Sequence, residues 1–211
     1  MSQHPSASGR QTRLGLGLMI ALALSLTASS TLAADGPLPT SGQELLQPGA
    51  SSSEDVLSIQ QLLSLYAHLY DDFETRTWGQ LFTDDATFEI AYPTGGPRSR
   101  SIWRGRETIV SNLTPRRASF RAQGIGRRHY LVNPLIYELE TRSARVSAYL
   151  LLTSIQRDGT VKLAGSGRYD GRVTKTPEGW RIQAWRFTPD GDPVDFASEL
   201  NSDATSSPKS P

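Results

Sequence analysis

Three histidines and no cysteine set the limits of the chemistry available to this chain. Without a thiol there is no disulfide, no zinc–thiolate centre and no sulfur nucleophile. His4, His68 and His129 are too few and too scattered for a multi-histidine metal site, so no such metal site is expected. What remains is proton chemistry by imidazole, carboxylate and phenol. His129 falls in a segment, Arg128–Glu140, with the alternation of a strand, where 129, 131, 133 and 135 share one face. Leu131 and Leu135 make that face apolar, so His129 and Asn133 are expected to point inward. An inward imidazole needs hydrogen-bond partners. A carboxylate partner would fix its tautomer and raise its basicity. Two roles fit such a residue: a core histidine held for structure, or a general base.

The other candidates carry paired readings too. Tyr66, Tyr70 and Tyr92 suit core aromatics whose hydroxyls reach a partner, or proton donors at a cavity wall. Asp71 lies five residues after Tyr66, about 140° away on a helix. It therefore flanks the apolar stripe, where it either reaches a cavity or is solvated. His68 lies about 200° from Tyr66 and is expected in solvent. Arg186 sits between Trp185 and Phe187. It faces a cavity if those aromatics face outward, and solvent if they face inward. Arg127 and Arg128 read as a solvated face or as a contact for an anion.

These side chains need a scaffold. Ser53 is a plausible N-cap, with Glu54 and Asp55 in the first turn of a helix. Val56, Ile59, Leu62, Leu63, Tyr66, Leu69, Tyr70 and Phe73 then follow helical spacing. A shorter helix is expected over 77–82, ended by Asp84-Asp85, and a strand over 86–92. Pro93 to Pro97 reads as a loop. A short strand over 102–104 and a helix from Gly105 to about Leu113 come next, the helix ended by Thr114-Pro115. Four strands close the domain, over 128–140, 144–157, 161–174 and 180–188. Asp158-Gly159 and Pro177-Glu178-Gly179 supply turns between them. Helices first and long antiparallel strands later indicate α+β, with a sheet that curls over the helices around a core or a pocket.

The flanks read differently. Arg10 and Arg13, the apolar run Leu14–Leu26 and small residues near Ala33 form a secretory signal over 1–34, too short to span a membrane. Export to the periplasm or medium is expected. Residues 35–53 form a leader rich in Gly, Pro, Ser and Gln, 54–189 the globular domain, and 190–211 an acidic tail. The formal charge of +1 offers no field for nucleic acid or an anionic membrane. The expected partner is a small molecule, with a homodimer possible.

Four phrases resemble the SnoaL-like and nuclear-transport-factor-2-like superfamily. They are Tyr66-Ala67-His68-Leu69-Tyr70-Asp71 with Leu81-Phe82-Thr83-Asp84-Asp85-Ala86; Arg104-Gly105-Arg106-Glu107-Thr108-Ile109; Arg128-His129-Tyr130-Leu131-Val132-Asn133; and Gly167-Arg168-Tyr169-Asp170 with Gly179-Trp180-Arg181-Ile182. The resemblance implies a cone: a curved antiparallel sheet wrapped around the long first helix, enclosing an apolar cavity. In its scytalone dehydratase-like and bile-acid dehydratase-like branch it implies an Asp–His pair at Asp71 and His129. Tyr66, Tyr92 and Arg186 would polarise an oxygen, and Asn133 and Tyr70 would contact substrate. The second histidine of scytalone dehydratase-like enzymes would fall near Ser166, so the match is closer to one-histidine sites. The activity implied is a cofactor-independent dehydratase or isomerase for a small cyclic compound. The alternative is a ligand-binding or dimerisation module on the same fold.

Overall fold

The computed structural model describes residues 52–93 and 100–191. The expected signal, most of the leader, the loop from 94 and the tail from 192 lie outside them. The elements are α1 (Ser53–Asp71), α2 (Thr75–Gly79), β1 (Phe82–Ala91), β2 (Arg100–Arg104), α3 (Arg106–Ala122), β3 (Gly126–Tyr137), β4 (Ser143–Ile155), β5 (Val161–Thr176) and β6 (Gly179–Pro189). No helix among the described residues is long and apolar enough to cross a membrane.

Helix α1 starts one residue before the expected position. Ser52, not Ser53, is the cap: its hydroxyl accepts from the Asp55 N–H at 3.2 Å, satisfying a donor left over by the first turn. The stripe of α1 buries Ile59, Leu62, Leu63, Tyr66 and Ala67, while His68 is exposed. Each fully buried large apolar side chain contributes ~1.5–3 kcal/mol, which outweighs the weak propensity of a lone helix.

Two local expectations change. The second helix ends at Gly79, and the strand begins at Phe82, four residues early. Tertiary pairing decides this: Phe82 lies opposite Ile182, whose N–H donates to the Leu81 carbonyl at 2.8 Å. Asp84-Asp85 therefore falls within a register shift of β1 rather than at a helix end. The third helix does not stop at Thr114. It runs through Pro115 to Ala122. A proline inside a helix removes one hydrogen bond and costs ~3 kcal/mol or more. Here tertiary contacts offset that cost, because the second half of α3 buries Phe120 and stacks Arg117 on the Tyr70 ring.

The sheet has the order β2-β1-β6-β5-β4-β3. The chain leaves β1 for one edge, crosses by α3 to the other edge, and meanders back. Return of β6 beside β1 makes that pair parallel, and all other pairs are antiparallel. Register shifts in β3, between β4 and β5, and between β5 and β6 bend the sheet around α1. The fold is the α+β cone of the nuclear-transport-factor-2-like type. The interior between the sheet and α1 holds Ile59, Leu62, Trp78, Phe82, Val146, Val173, Ile182 and Trp185.

Candidate active site

At the C-terminal end of α1 the interior is not filled. A cavity of about 360 Å³ opens there, with an apolar wall that includes Phe88, Ile90, Leu113, Phe120, Leu150, Leu152 and Phe187. Tyr66, Tyr70, Asp71, Tyr92 and His129 line it as well. Five of the seven residues singled out from the sequence thus meet in one cavity.

Asp71 is the last residue of α1 and His129 lies near the start of β3. The Asp71 carboxylate takes two hydrogen bonds from the same residue. Oδ1 lies 2.6 Å from His129 Nδ1, and Oδ2 accepts the His129 backbone N–H at 2.7 Å. Their side chains are only 5% and 11% exposed, Asp71 and His129 respectively. A carboxylate facing Nδ1 fixes the proton on that nitrogen and leaves the Nε2 lone pair for chemistry. Among the described residues no hydrogen bond occupies Nε2. His129 pairs across the sheet with Leu152, itself a cavity residue, so strand alternation turns the imidazole inward as expected.

The tyrosines form the adjoining wall. The Tyr70 ring meets the His129 imidazole edge-on, with centroids 5.1 Å apart. It stacks near Tyr66 at 6.3 Å and carries the Arg117 guanidinium 4.4 Å from its centroid on the cation–π side. Burial pushes the Tyr70 hydroxyl above its ordinary range, an effect that Arg117 and Arg116 oppose. Tyr66 is 2% exposed, and its hydroxyl donates to the Tyr169 hydroxyl at a long 3.4 Å. Burial drives both of these phenols well up. In this form each keeps a proton to donate, and Tyr169 also accepts from Tyr66.

Two expected site residues lie elsewhere. Asn133 was placed on the His129 face, but β3 carries an extra residue between Val132 and Leu135. Asn133 sits in that bulge with φ 52, exposed, and the shift turns Leu135 outward too. A bulge reverses the period-2 parity of everything after it. Asparagine tolerates the left-handed region, and a proline within a strand marks such a break, so Asn133-Pro134 was the local signal. Arg186 does not line the cavity. Trp185 is buried inward and Phe187 lines the cavity, so Arg186 takes the opposite face. There it donates to Glu89 at 3.0 Å, and Arg100 pairs with the same carboxylate.

Conversely, Arg116, Arg117 and Phe120 belong to the cavity and were missed. The cause was the assumed stop at Pro115. The spacing Ile109, Leu113, Arg117, Phe120 continues one helix face across the proline, and that periodicity was the available signal. Arg127, half-buried, also lines the cavity and stacks over Phe120, its guanidinium carbon 3.8 Å from the ring centroid. No cluster of three or more His, Asp or Glu suited to a metal ion occurs among the described residues.

No curated protein matches the chain. Solved structures do. A nuclear-transport-factor-2-like protein with a cystatin-like fold from Novosphingobium aromaticivorans is 20% identical with a TM-score of 0.54, covering 70% of this chain and 88% of its own. A candidate aromatic ring hydroxylase from the same organism is 26% identical with a TM-score of 0.53, over 67% of this chain and 93% of its own. A Catenulispora acidiphila protein in complex with S-DNPA is 19% identical with a TM-score of 0.54, over 66% and 96%. The SnoaL-like domain model matches residues 51–186, the whole span from the cap of α1 to β6, and the chain belongs to that family.

Proposed function

We propose that this chain is an exported, cofactor-independent dehydratase or isomerase acting on a small cyclic, largely apolar carbonyl compound. One observation carries the reading: Asp71 holds both the backbone N–H and Nδ1 of His129, which directs a free Nε2 lone pair to an apolar cavity. His129 Nε2 takes a proton from carbon next to the carbonyl. The C–H electron pair moves into an enolate, whose oxygen accepts a hydrogen bond from Tyr70 or Tyr92. In dehydration the enolate expels hydroxide from the β-carbon, and the imidazolium returns the proton to make water. In isomerisation it returns the proton to another carbon. A positioned base supplies ~10²–10⁴-fold and fixed donors at the enolate oxygen add to it. The cavity volume of about 360 Å³ suits a ligand of a few fused rings. The Catenulispora acidiphila relative with its bound S-DNPA supports a small-molecule role. Export rests on the n-region and apolar run before Ala34.

The test is a screen of hydroxylated steroid-like, terpenoid and aromatic ketones against the wild type and His129→Ala. Turnover by the wild type that collapses in the variant, with ligand binding retained, supports the reading. Binding without turnover in both proteins leaves the alternative, a ligand carrier.

A homodimer is favoured by the outer face of the sheet. There Tyr130 lies opposite Leu151 and Val132 opposite Tyr149, all between 41% and 56% exposed. An apolar patch of this kind on a sheet marks a docking face. Sedimentation equilibrium of the wild type and Tyr149→Glu measures it: a dimer that becomes a monomer is expected.

A further inference from the structure

The cavity that holds the Asp71–His129 pair has an apolar wall with three arginines set in it. Arg116, Arg117 and Arg127 all line it, and Asp71 is the sole acid among the described lining residues. Both oxygens of Asp71 already serve His129. The three arginines are graded in depth. Arg116 is exposed at the rim, Arg127 is half-buried, and Arg117 is 5% exposed in the inner wall.

Arg117 is the informative one. Among the described residues it forms no ion pair with a carboxylate. Its Nη2 donates to Thr75 Oγ1 at 2.5 Å, while Nε and Nη1 have no hydrogen-bond partner. One face rests on Tyr70 at 4.4 Å, with the Phe73 ring at 5.3 Å and the Trp78 ring at 5.8 Å. A guanidinium out of water without a carboxylate is costly, and an anion placed beside it would relieve that cost. Burial lowers its proton affinity from the ordinary value, as expected for a charge held in an apolar wall. Helix α3 continues through Pro115, and its second half brings Arg117 and Phe120 to the cavity.

We propose that the ligand of this cavity is a small cyclic compound bearing an anionic group, a carboxylate or phenolate, which the arginines of α3 and β3 attract and hold beside Tyr70. The proposal rests on the cavity being the ligand site, but not on any turnover there. Arg116 at the rim draws the anion in, and the Arg117 charge, barely screened in the apolar wall, retains it. This orientation leaves the uncharged part of the ligand against Phe88, Leu150 and Leu152, in reach of His129.

The experiment is calorimetric titration of the wild type, Arg117→Met and Arg116→Gln with two isosteres, naphthalene-2-carboxylate and naphthalene-2-carboxamide. The wild type should bind the carboxylate at least ~10-fold more tightly, the scale of a charge-assisted contact. The preference should fall to within ~3-fold in Arg117→Met and by a smaller factor in Arg116→Gln. Thermal unfolding shows whether Arg117→Met is folded. If it is not, the exposed Arg116→Gln variant decides. Equal or tighter binding of the amide, an unchanged preference in the folded variants, or no binding of either probe at millimolar concentration overturns the proposal. Carboxylate preference without turnover of any ketone would sink the proton-transfer reading and leave this one standing. Turnover dependent on His129 without anion preference would do the reverse.

Discussion

Helix α1 carries an aspartate at each end, and the two do opposite things. Asp55, in its first turn, accepts from Lys175 Nζ at 2.7 Å and from Trp180 Nε1 at 2.9 Å. Asp71, in its last turn, accepts from the side chain and the backbone of His129. Both tie the helix to a strand of the sheet. Behind Asp55 the cone is packed with side chains such as Ile59, Trp180 and Ile182. Behind Asp71 it is hollow. The same acid is a staple where the space behind it is packed, and borders a cavity together with its histidine where that space is open. On the proposed function, the unfilled space rather than the pair of residues as such sets the two ends apart.

The largest effect should come from exchanging the two carboxylates for amides. Asp71→Asn keeps an acceptor for the His129 N–H but offers an N–H₂ to Nδ1. The imidazole proton is then driven to Nε2, and the base is lost. Turnover should drop ~10²–10⁴-fold, read as kcat/KM on a substrate found by the ketone screen. Asp55→Asn should leave it within ~3-fold, since the staple is some 24 Å along the helix from the site. Similar losses in both variants would erase the distinction between the two ends.

Next comes a pair of glycines on one face of β5. Gly165, opposite Leu152, lines the cavity, and an added methyl meets nothing within 4 Å. At Gly171, opposite Trp185, an added methyl would collide with the indole ring and approach the Ala184 carbonyl at 2.7 Å. Overpacking makes Gly171→Ala destabilising by ~1–3 kcal/mol. Gly165→Ala should lie within ~0.5 kcal/mol of the wild type in urea unfolding. Its cost appears in the fit of bulky ligands instead. A stable Gly171→Ala protein would show that the packed end has slack.

The smallest effect is in the pH dependence of stability. The hydrogen bond from Lys175, with that from Trp180, holds Asp55 below its ordinary carboxylate range. A group whose pKa is depressed in the folded state stabilises above its unfolded pKa, and that contribution is lost as pH falls through the folded value. The melting temperature of Asp55→Asn should therefore lie below that of the wild type at neutral pH. The gap should close on acidification below the usual aspartate range. A gap that stays constant would mean the staple is not ionic.

The sequence by itself determined what local periodicity can determine. The stripe of α1 follows from spacing at three and four residues, as do the inward Tyr66 and the outward His68. The inward His129 follows from alternation, because it lies ahead of the bulge in its strand. Tertiary structure decided whatever depended on a partner distant in the chain. Helical angle left Asp71 on the flank of its stripe, and only the approach of β3 made it a buried partner. A bulge, set by the curvature the sheet needs to close over α1, carried Asn133 and Leu135 to the opposite face. Alternation alone left Arg186 with two faces to choose from, and the packing of Trp185 chose. Pro115 stops a helix that has nothing to bury beyond it. Here Phe120 had a cavity wall to complete and Arg117 had the Tyr70 ring to stack on, contacts that only the tertiary structure supplies.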